Sequence, residues 1–195
     1  NAMKNHNRQS DISLLNELDK LKTIYRKSYV GDGSRHENSA EHSWHLAVSF
    51  MALKHWLPGQ LDIDHAIQMA LLHDVCEIGA GDVCAYDANP SKAEDEAAYL
   101  NQLRTRFPGF GDHTLTLWRE YEAQETLESQ WVKVFDKLLP FLLNLANEGR
   151  TWREQHVSAE QVIRHNAFIH HMAPELYEWM LMEIDQAAAK GWFSS

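Results

Sequence analysis

The most informative segment of this 195-residue chain is LHDVCEIGAGD, residues 72–82. It closes an apolar helical pattern with an adjacent histidine and aspartate, His73 and Asp74, and then adds two further carboxylates, Glu77 and Asp82. Burying such groups without partners is costly, whereas a divalent cation neutralises carboxylates and accepts an imidazole lone pair. The segment therefore predicts a metal site at the end of a buried helix.

An adjacent His-Asp pair supplies only two ligands, so an open metal site needs others from elsewhere in the chain. His42 is predicted in the first turn of an apolar helix that begins with a capping box at Asn38. Asp136 lies on the apolar stripe of a later helix, where the pattern favours a hydrophobic side chain. His42 and Asp136 are therefore the best candidates to complete the site. The ordinary alternatives are a hydrogen-bonded His-Asp pair in the core and a solvated Asp136.

Helical periodicity dominates the rest of the sequence. The chain has only 9 glycines and 5 prolines, and no run alternates apolar and polar residues for long enough to indicate a sheet. Helices are predicted behind caps at Ser10, Asn38 and Asp62, then over residues 91–107, 115–122, 126–147 and, with a break at Pro174, 159–190. We expect an all-α fold in which residues 3–195 form a single domain. Residues 1–2 are expected to be the remnant of a cleaved expression tag.

The charge balance narrows the class of partner. Lys and Arg number 18 against 28 Asp and Glu, which gives a formal net charge of −10 with histidine neutral. A protein that follows nucleic-acid phosphates needs a basic face, so we expect no nucleic-acid polymer as a partner. No apolar stretch approaches the ~20 residues of a membrane span, so we expect no membrane association.

Cysteine usage points to a reducing compartment. The two cysteines, Cys76 and Cys84, have a spacing that fits neither a CxxC pair nor a disulfide framework. The residues that follow Met3 lack the apolar core of a signal peptide. We therefore expect a cytoplasmic protein with free thiols.

Several segments together resemble the HD-domain metal-dependent phosphohydrolases. Within that family, the closest resemblance is to the branch that contains the bacterial 5′-deoxynucleotidase and HD domain-containing protein 2. The segments are RHENSAEHSW (35–44), HDVCE (73–77) with GD (81–82), LWREYE (117–122) and VKVFDK (132–137). The resemblance extends from about residue 21 to residue 147 and implies an HD-domain helical bundle with the metal site between core helices.

The resemblance also implies the metal ligands, which would be His42, His73, Asp74 and Asp136. His113 is the only histidine between Asp74 and Asp136, so the sequence lacks the extra histidines that a second metal site would need. One divalent ion is therefore expected. Imidazole and carboxylate donors suit Mn, Co, Fe, Ni or Zn without selecting among them.

Further roles follow from the same resemblance. Glu77 matches the family's catalytic acid or base, and Asp82 matches the carboxylate that meets the sugar hydroxyl. Arg26 matches the phosphate-binding arginine, and a guanidinium presents a planar fork suited to phosphate oxygens. Tyr29 stands near the position where the family usually has a sugar-contacting tryptophan, so we expect Tyr29 to contact the substrate.

The implied activity is that of a 5′-deoxynucleotidase, which hydrolyses deoxyribonucleoside 5′-monophosphates to deoxynucleoside and phosphate. Such hydrolysis needs a cation against the anionic phosphate and a proton donor for the leaving alkoxide. One alternative is an HD hydrolase of another phosphorylated small metabolite. Another is a nucleotide-binding module that retains the metal without turnover. The expected partner is a small nucleotide, and the resemblance further implies a homodimer.

Overall fold

The computed structural model describes residues 5–195, with side chains from residue 7 onward. The expected tag remnant, residues 1–2, lies outside the described residues. The first helices are α1 (Asn5–Asp19), α2 (Ser39–Ala52), α3 (Ile63–Leu72), α4 (Glu77–Ala80), α5 (Lys92–Arg106) and α6 (Pro108–Ala123). The others are α7 (Leu127–Ala146), α8 (Arg150–Glu154), α9 (Ala159–Asn166), α10 (Ile169–Met172) and α11 (Pro174–Ala189). Two short 3₁₀ turns occupy Lys20–Thr23 and Lys54–Trp56.

The mainly helical fold class is confirmed, with one small addition. Strands β1 (Tyr25–Tyr29) and β2 (His36–Asn38) form an antiparallel hairpin whose register is irregular between its two ends. Such short strands carry too little alternation to be recognised in the sequence. The turn between them uses Gly33 at a φ of 73°, a conformation that glycine adopts without strain. The hairpin places Arg26 beside Glu37, at the entrance to α2.

Helix caps fix where the functional histidines lie. The predicted capping box is present, because the Glu41 backbone N–H donates to Asn38 Oδ1 at 2.9 Å and the Asn38 N–H donates to Glu41 Oε2 at 3.1 Å. The Asp62 cap on α3 is likewise confirmed, through the backbone N–H of His65. The first turn of α2 therefore carries His42, while His73 stands directly after the last residue of α3.

The longest helix, α7, runs through the main core. Its buried residues pack against α2 and α3, with the rings of Phe50 and Phe135 4.9 Å apart. A second cluster lies between α5 and α6 around Leu100, Leu103 and Leu115. Helix α7 remains continuous through Pro140. Among the described residues, no helix combines the length and apolarity that crossing a bilayer requires.

Helix α6 is longer than predicted, because it begins at Pro108 rather than near residue 115. Proline is favoured in the first turn of a helix, where its missing N–H is not needed. Gly111 then allows α6 to approach α5 closely, since a Cβ atom at this position would collide with the backbone of Arg104. Close packing of α5 on α6 therefore depends on a glycine.

We expect Gly111→Ala to lower the free energy of unfolding by about 1–3 kcal/mol, the usual cost of overpacking. Gly109→Ala is the matched control, because nothing lies within 4 Å of a Cβ atom at that position of the same helix. The control should leave stability unchanged or raise it by up to about 1 kcal/mol, since alanine favours helix. Urea denaturation measures the free energy of unfolding of both variants. Equal stabilities of the two variants would show that α6 does not need this glycine.

Candidate metal centre

A buried aspartate on α7 meets a buried histidine on α2. His42 is fully buried, and its Nε2 atom lies 2.7 Å from Asp136 Oδ1. Asp136 is itself buried, although it lies on the helical face that the sequence pattern reserves for apolar side chains. The structure thus brings together two predicted site residues that are far apart in the sequence.

The adjacent pair at the end of α3 faces the same carboxylate. The Nε2 atom of His73 lies 3.3 Å from Asp74 Oδ1 and 3.6 Å from Asp136 Oδ1. Its other ring nitrogen, Nδ1, is 3.1 Å from the Ala70 carbonyl oxygen and donates to it. This bond fixes the ring and leaves Nε2 facing the two carboxylates, which is the usual orientation of a metal-ligating histidine.

The donor set fits a divalent cation. Ligand atoms of His42, Asp74 and Asp136 all lie within 4.8 Å of one another, and His73 adds a second imidazole nitrogen beside the carboxylates. Two imidazoles and two carboxylates match the mixed nitrogen and oxygen preference of borderline divalent metals. Three of the four predicted ligand residues therefore meet within the size of one metal site, and His73 adjoins them through both carboxylates.

The carboxylates make this point of the core strongly attractive to positive charge. Burial disfavours the charged form of His73, but Asp74 and Asp136 outweigh it and raise the pKa of the ring to about 9. Burial and the charge of Arg26 lower the pKa of His42, so this ring is neutral. Burial also opposes ionisation of Asp136, yet Lys137 and the two imidazoles hold the pKa of this carboxyl well below its usual range. Asp136 is thus an ionised carboxylate in the interior.

Two residues that the sequence did not single out hold Asp136 in place. The Tyr121 hydroxyl donates to Asp136 Oδ2 at 3.2 Å, and Lys137 Nζ lies 3.4 Å from the same oxygen. The Tyr121 ring also packs against His73, with the ring centroids 4.5 Å apart. Both residues lie in segments that carry the family resemblance, but only tertiary contacts reveal what they touch.

Glu77 opens α4 one turn beyond His73 and is 8% exposed. Ser39 Oγ, in the first turn of α2, donates to Glu77 Oε1 at 2.5 Å. Burial raises the pKa of Glu77 well above its ordinary value, and the charges of Asp74 and Asp82 raise it further. Glu77 therefore keeps its proton to a higher pH than an ordinary glutamate does. Ser39 is a further site residue that the sequence pattern did not indicate.

Arg26 forms the opposite wall of the site. Its Nε atom lies 3.2 Å from Glu37 Oε1, and its Nη1 atom lies 3.6 Å from Asp82 Oδ1. Burial raises the pKa of Glu37 to about 7, against the opposing charge of Arg26. The structure thus brings together Arg26 and Asp82, two of the predicted site residues, and adds Glu37 to them.

Tyr29 lies apart from these groups. Its hydroxyl donates to Glu154 Oε1 at 2.6 Å, its ring stacks on His36 at 4.2 Å, and the Arg150 guanidinium covers it at 3.8 Å. Tyr29 is not among the residues that line the cleft described next. The expected contact between Tyr29 and the substrate therefore has no support in this geometry. The two strands are short and their register is irregular, so the sequence does not show to which side of the hairpin Tyr29 points.

One cleft gives access to these side chains. Among the residues that line it are Arg26, Asp74, Glu77, Asp82 and Asp136. Three lysines join Arg26 in the lining, namely Lys27, Lys92 and Lys137. The cleft therefore combines two carboxylates of the His/Asp cluster, Asp74 and Asp136, with four cationic side chains. A divalent ion held by the cluster would add positive charge, and the cleft would then suit a small anion.

The fold and cluster define an all-α protein with a His/Asp centre suited to a divalent metal. An HD domain family model matches residues 18–177, and the chain belongs to this family. A crystal structure of a predicted metal-dependent phosphohydrolase from Magnetospirillum magnetotacticum is 33% identical in sequence. It superimposes with a TM-score of 0.89 over 96% of this chain and 95% of that one.

Curated relatives show a more distant similarity. The 5′-deoxynucleotidase HDDC2 of Homo sapiens is 29% identical over 138 residues, which cover 68% of this chain and 65% of the human protein. The 5′-deoxynucleotidase HDDC2 of Dictyostelium discoideum is 33% identical over 60% of this chain and 67% of its own length. The matched part of the chain thus spans about two thirds of the length of these relatives.

We expect Asp136→Ala to abolish metal binding, because its carboxylate lies between both imidazoles. Protein purified with added Mn or Co should fall from one ion per chain to a small fraction of that amount, as measured by elemental analysis. Asp185→Ala, at an exposed position of α11, is the control and should keep full metal content. Full occupancy in Asp136→Ala would remove this residue from the ligand set.

Proposed function

We propose that this chain is a metal-dependent phosphohydrolase that releases phosphate from deoxyribonucleoside 5′-monophosphates. The observation that carries the proposal is the convergence of three kinds of group on one cleft. They are the His/Asp cluster, the buried acid Glu77 and the guanidinium of Arg26. The similarity to proteins named 5′-deoxynucleotidase supports the choice of substrate.

The proposed ligands of a single divalent ion are His42, His73, Asp74 and Asp136. The ion would be Mn, Co, Fe, Ni or Zn, which accept this mixture of nitrogen and oxygen donors. When bound, a divalent ion neutralises phosphate charge and makes water more acidic. The hydrogen bonds of His73 to Ala70 and of Tyr121 to Asp136 would keep these ligands oriented.

The chain's own residues would supply the other requirements of the reaction. Arg26 would bind two phosphate oxygens through its planar guanidinium. Glu77 would donate its proton to the 5′-oxygen as the P–O bond breaks and water supplies the new oxygen on phosphorus, which yields alcohol and phosphate. Ser39 would hold the Glu77 carboxyl in position. Asp82 would accept a hydrogen bond from a sugar hydroxyl.

We further propose that residues 3–195 act as one domain in the cytoplasm. The main core supports the first point, because residues from α2 to α11 contribute to one buried cluster. Both cysteines are free thiols, as a reducing compartment maintains them. Phosphate release from small nucleotides requires neither a nucleic-acid polymer nor a membrane as a partner.

A homodimer is the proposed assembly. An apolar groove between the turn at Trp56, helix α7 and helix α11 leaves Trp56 and Leu142 exposed, although both are large hydrophobic residues. Light scattering should give twice the 22.5 kDa chain mass, and Leu142→Glu should halve it. Leu15→Glu, at an exposed leucine of α1, is the control and should stay dimeric. A monomeric wild-type protein would contradict this assembly.

The function is tested by phosphate release from a panel of deoxyribonucleotides, ribonucleotides and cyclic nucleotides with added Mn or Co. Deoxyribonucleoside 5′-monophosphates should give the highest kcat/KM. Phosphate release only from another phosphorylated compound would support a phosphohydrolase, but one with a different substrate. Nucleotide binding without any release would indicate a binding module, and it would overturn the proposed activity.

Glu77→Gln should reduce kcat by about 10²–10⁴-fold, the usual contribution of a positioned acid. The amide keeps the shape of the side chain but is not an acid that can protonate the leaving oxygen. Metal content should remain unchanged, because Glu77 is not a proposed ligand. Glu94→Gln, at an exposed position of α5, is the matched control and should keep wild-type kcat. An unchanged kcat in Glu77→Gln would mean that another group protonates the leaving oxygen.

A further inference from the structure

The cleft extends well beyond the proposed metal ligands. Besides Asp74 and Asp136, its lining includes Val162, His165 and Asn166 of α9, and these three residues are called the α9 end of the cleft. Its volume is about 140 Å³, roughly ten times the minimum for one ordered water. A phosphate group bound beside Arg26 would leave the α9 end to be filled by the remainder of the substrate.

Asn166 offers a free hydrogen-bond acceptor at this end. The side chain is 2% exposed, and its Nδ2 donates to the Val162 carbonyl oxygen at 2.9 Å. Its Oδ1 is buried and has no hydrogen-bond partner among the residues that the structure describes. A buried acceptor without a donor is unfavourable, so a ligand that brings an N–H or O–H group would satisfy it.

The surroundings of Asn166 suit a flat, uncharged group. The imidazole of His165 packs against the ring of Tyr86, with the centroids 4.8 Å apart. Burial, together with Lys137 and Lys133, lowers the pKa of His165 to about 4, so this ring is neutral. Phe141 and Trp152 add apolar surface to the lining. The α9 end of the cleft thus combines a neutral imidazole with aromatic surface.

We propose that the α9 end of the cleft binds the nucleobase of the substrate, with Asn166 Oδ1 accepting a hydrogen bond from an N–H group of the base. The proposal rests on the proposed function and adds a specificity residue to it. It implies that a sugar phosphate without a base is a poorer ligand than a nucleotide.

The test compares dAMP with 2-deoxyribose 5-phosphate, which has the same sugar and phosphate but no base. Titration calorimetry on metal-loaded protein gives the Kd of each, and Glu77→Gln as the background prevents hydrolysis during the titration. In this background dAMP should bind more tightly. Adding Asn166→Leu should raise the Kd of dAMP by about tenfold, which corresponds to the loss of one hydrogen bond. The Kd of the sugar phosphate should remain unchanged.

Asn101→Leu is the matched control. Asn101 on α5 makes the same bond to a carbonyl four residues earlier, at 2.9 Å from Ala97 O, but it does not line the cleft. This control should change neither Kd. Thermal melting shows whether each variant is folded. If Asn166→Leu fails to fold, the comparison of the two ligands on protein with Asn166 intact still decides whether the base is bound.

Equal Kd values for the two ligands would overturn the proposal. An equal loss of affinity for both ligands in folded Asn166→Leu would also overturn it. Failure of the proposed function gives a different result. Wild-type protein would then release no phosphate from any monophosphate, while tighter binding of dAMP than of the sugar phosphate, lost in Asn166→Leu, would still assign the α9 end to the base.

Discussion

An ionised aspartate inside the protein is the constraint on which the rest of the structure depends. Asp136 belongs to the most central helix, and its carboxylate lies 2.7 Å from His42 and 3.6 Å from His73. A buried charge is tolerated only when other groups compensate it. Helices α2, α3 and α7 must therefore pack so that both imidazoles reach this carboxylate. The same helix packing therefore forms the core and assembles the site.

Local charge, rather than net charge, determines what the cleft attracts. The chain carries −10 overall, which disfavours an extended polyanion. Arg26, Lys27, Lys92 and Lys137 nevertheless line one cleft together with Asp74 and Asp136, where a bound divalent ion would add positive charge. A small anion meets these groups at close range, where the acidic residues of the distant surface are screened by salt. The acidity of the chain is therefore compatible with a nucleotide substrate.

The sequence predicts several features that depend on local pattern, although the cap expected at Ser10 is wrong because Ser10 lies inside α1. Asn38 and Asp62 cap helices as expected, and the apolar stripe around Asp136 identifies it as an unusual inward carboxylate. The hairpin that carries Arg26 and Tyr29 has too few residues to give a pattern. Contacts such as Ser39 with Glu77 join residues 38 positions apart and depend on how helices pack. For this reason neither Ser39 nor the direction of Tyr29 could be predicted.

The central claim is that the His/Asp cluster holds one divalent ion. Anomalous X-ray diffraction from crystals grown with Mn or Co tests it most directly, because it locates the ion without reference to activity. We predict a single strong peak in contact with His42, His73, Asp74 and Asp136. A peak elsewhere, or no peak at this cluster when the solution contains the metal in excess, would contradict the account.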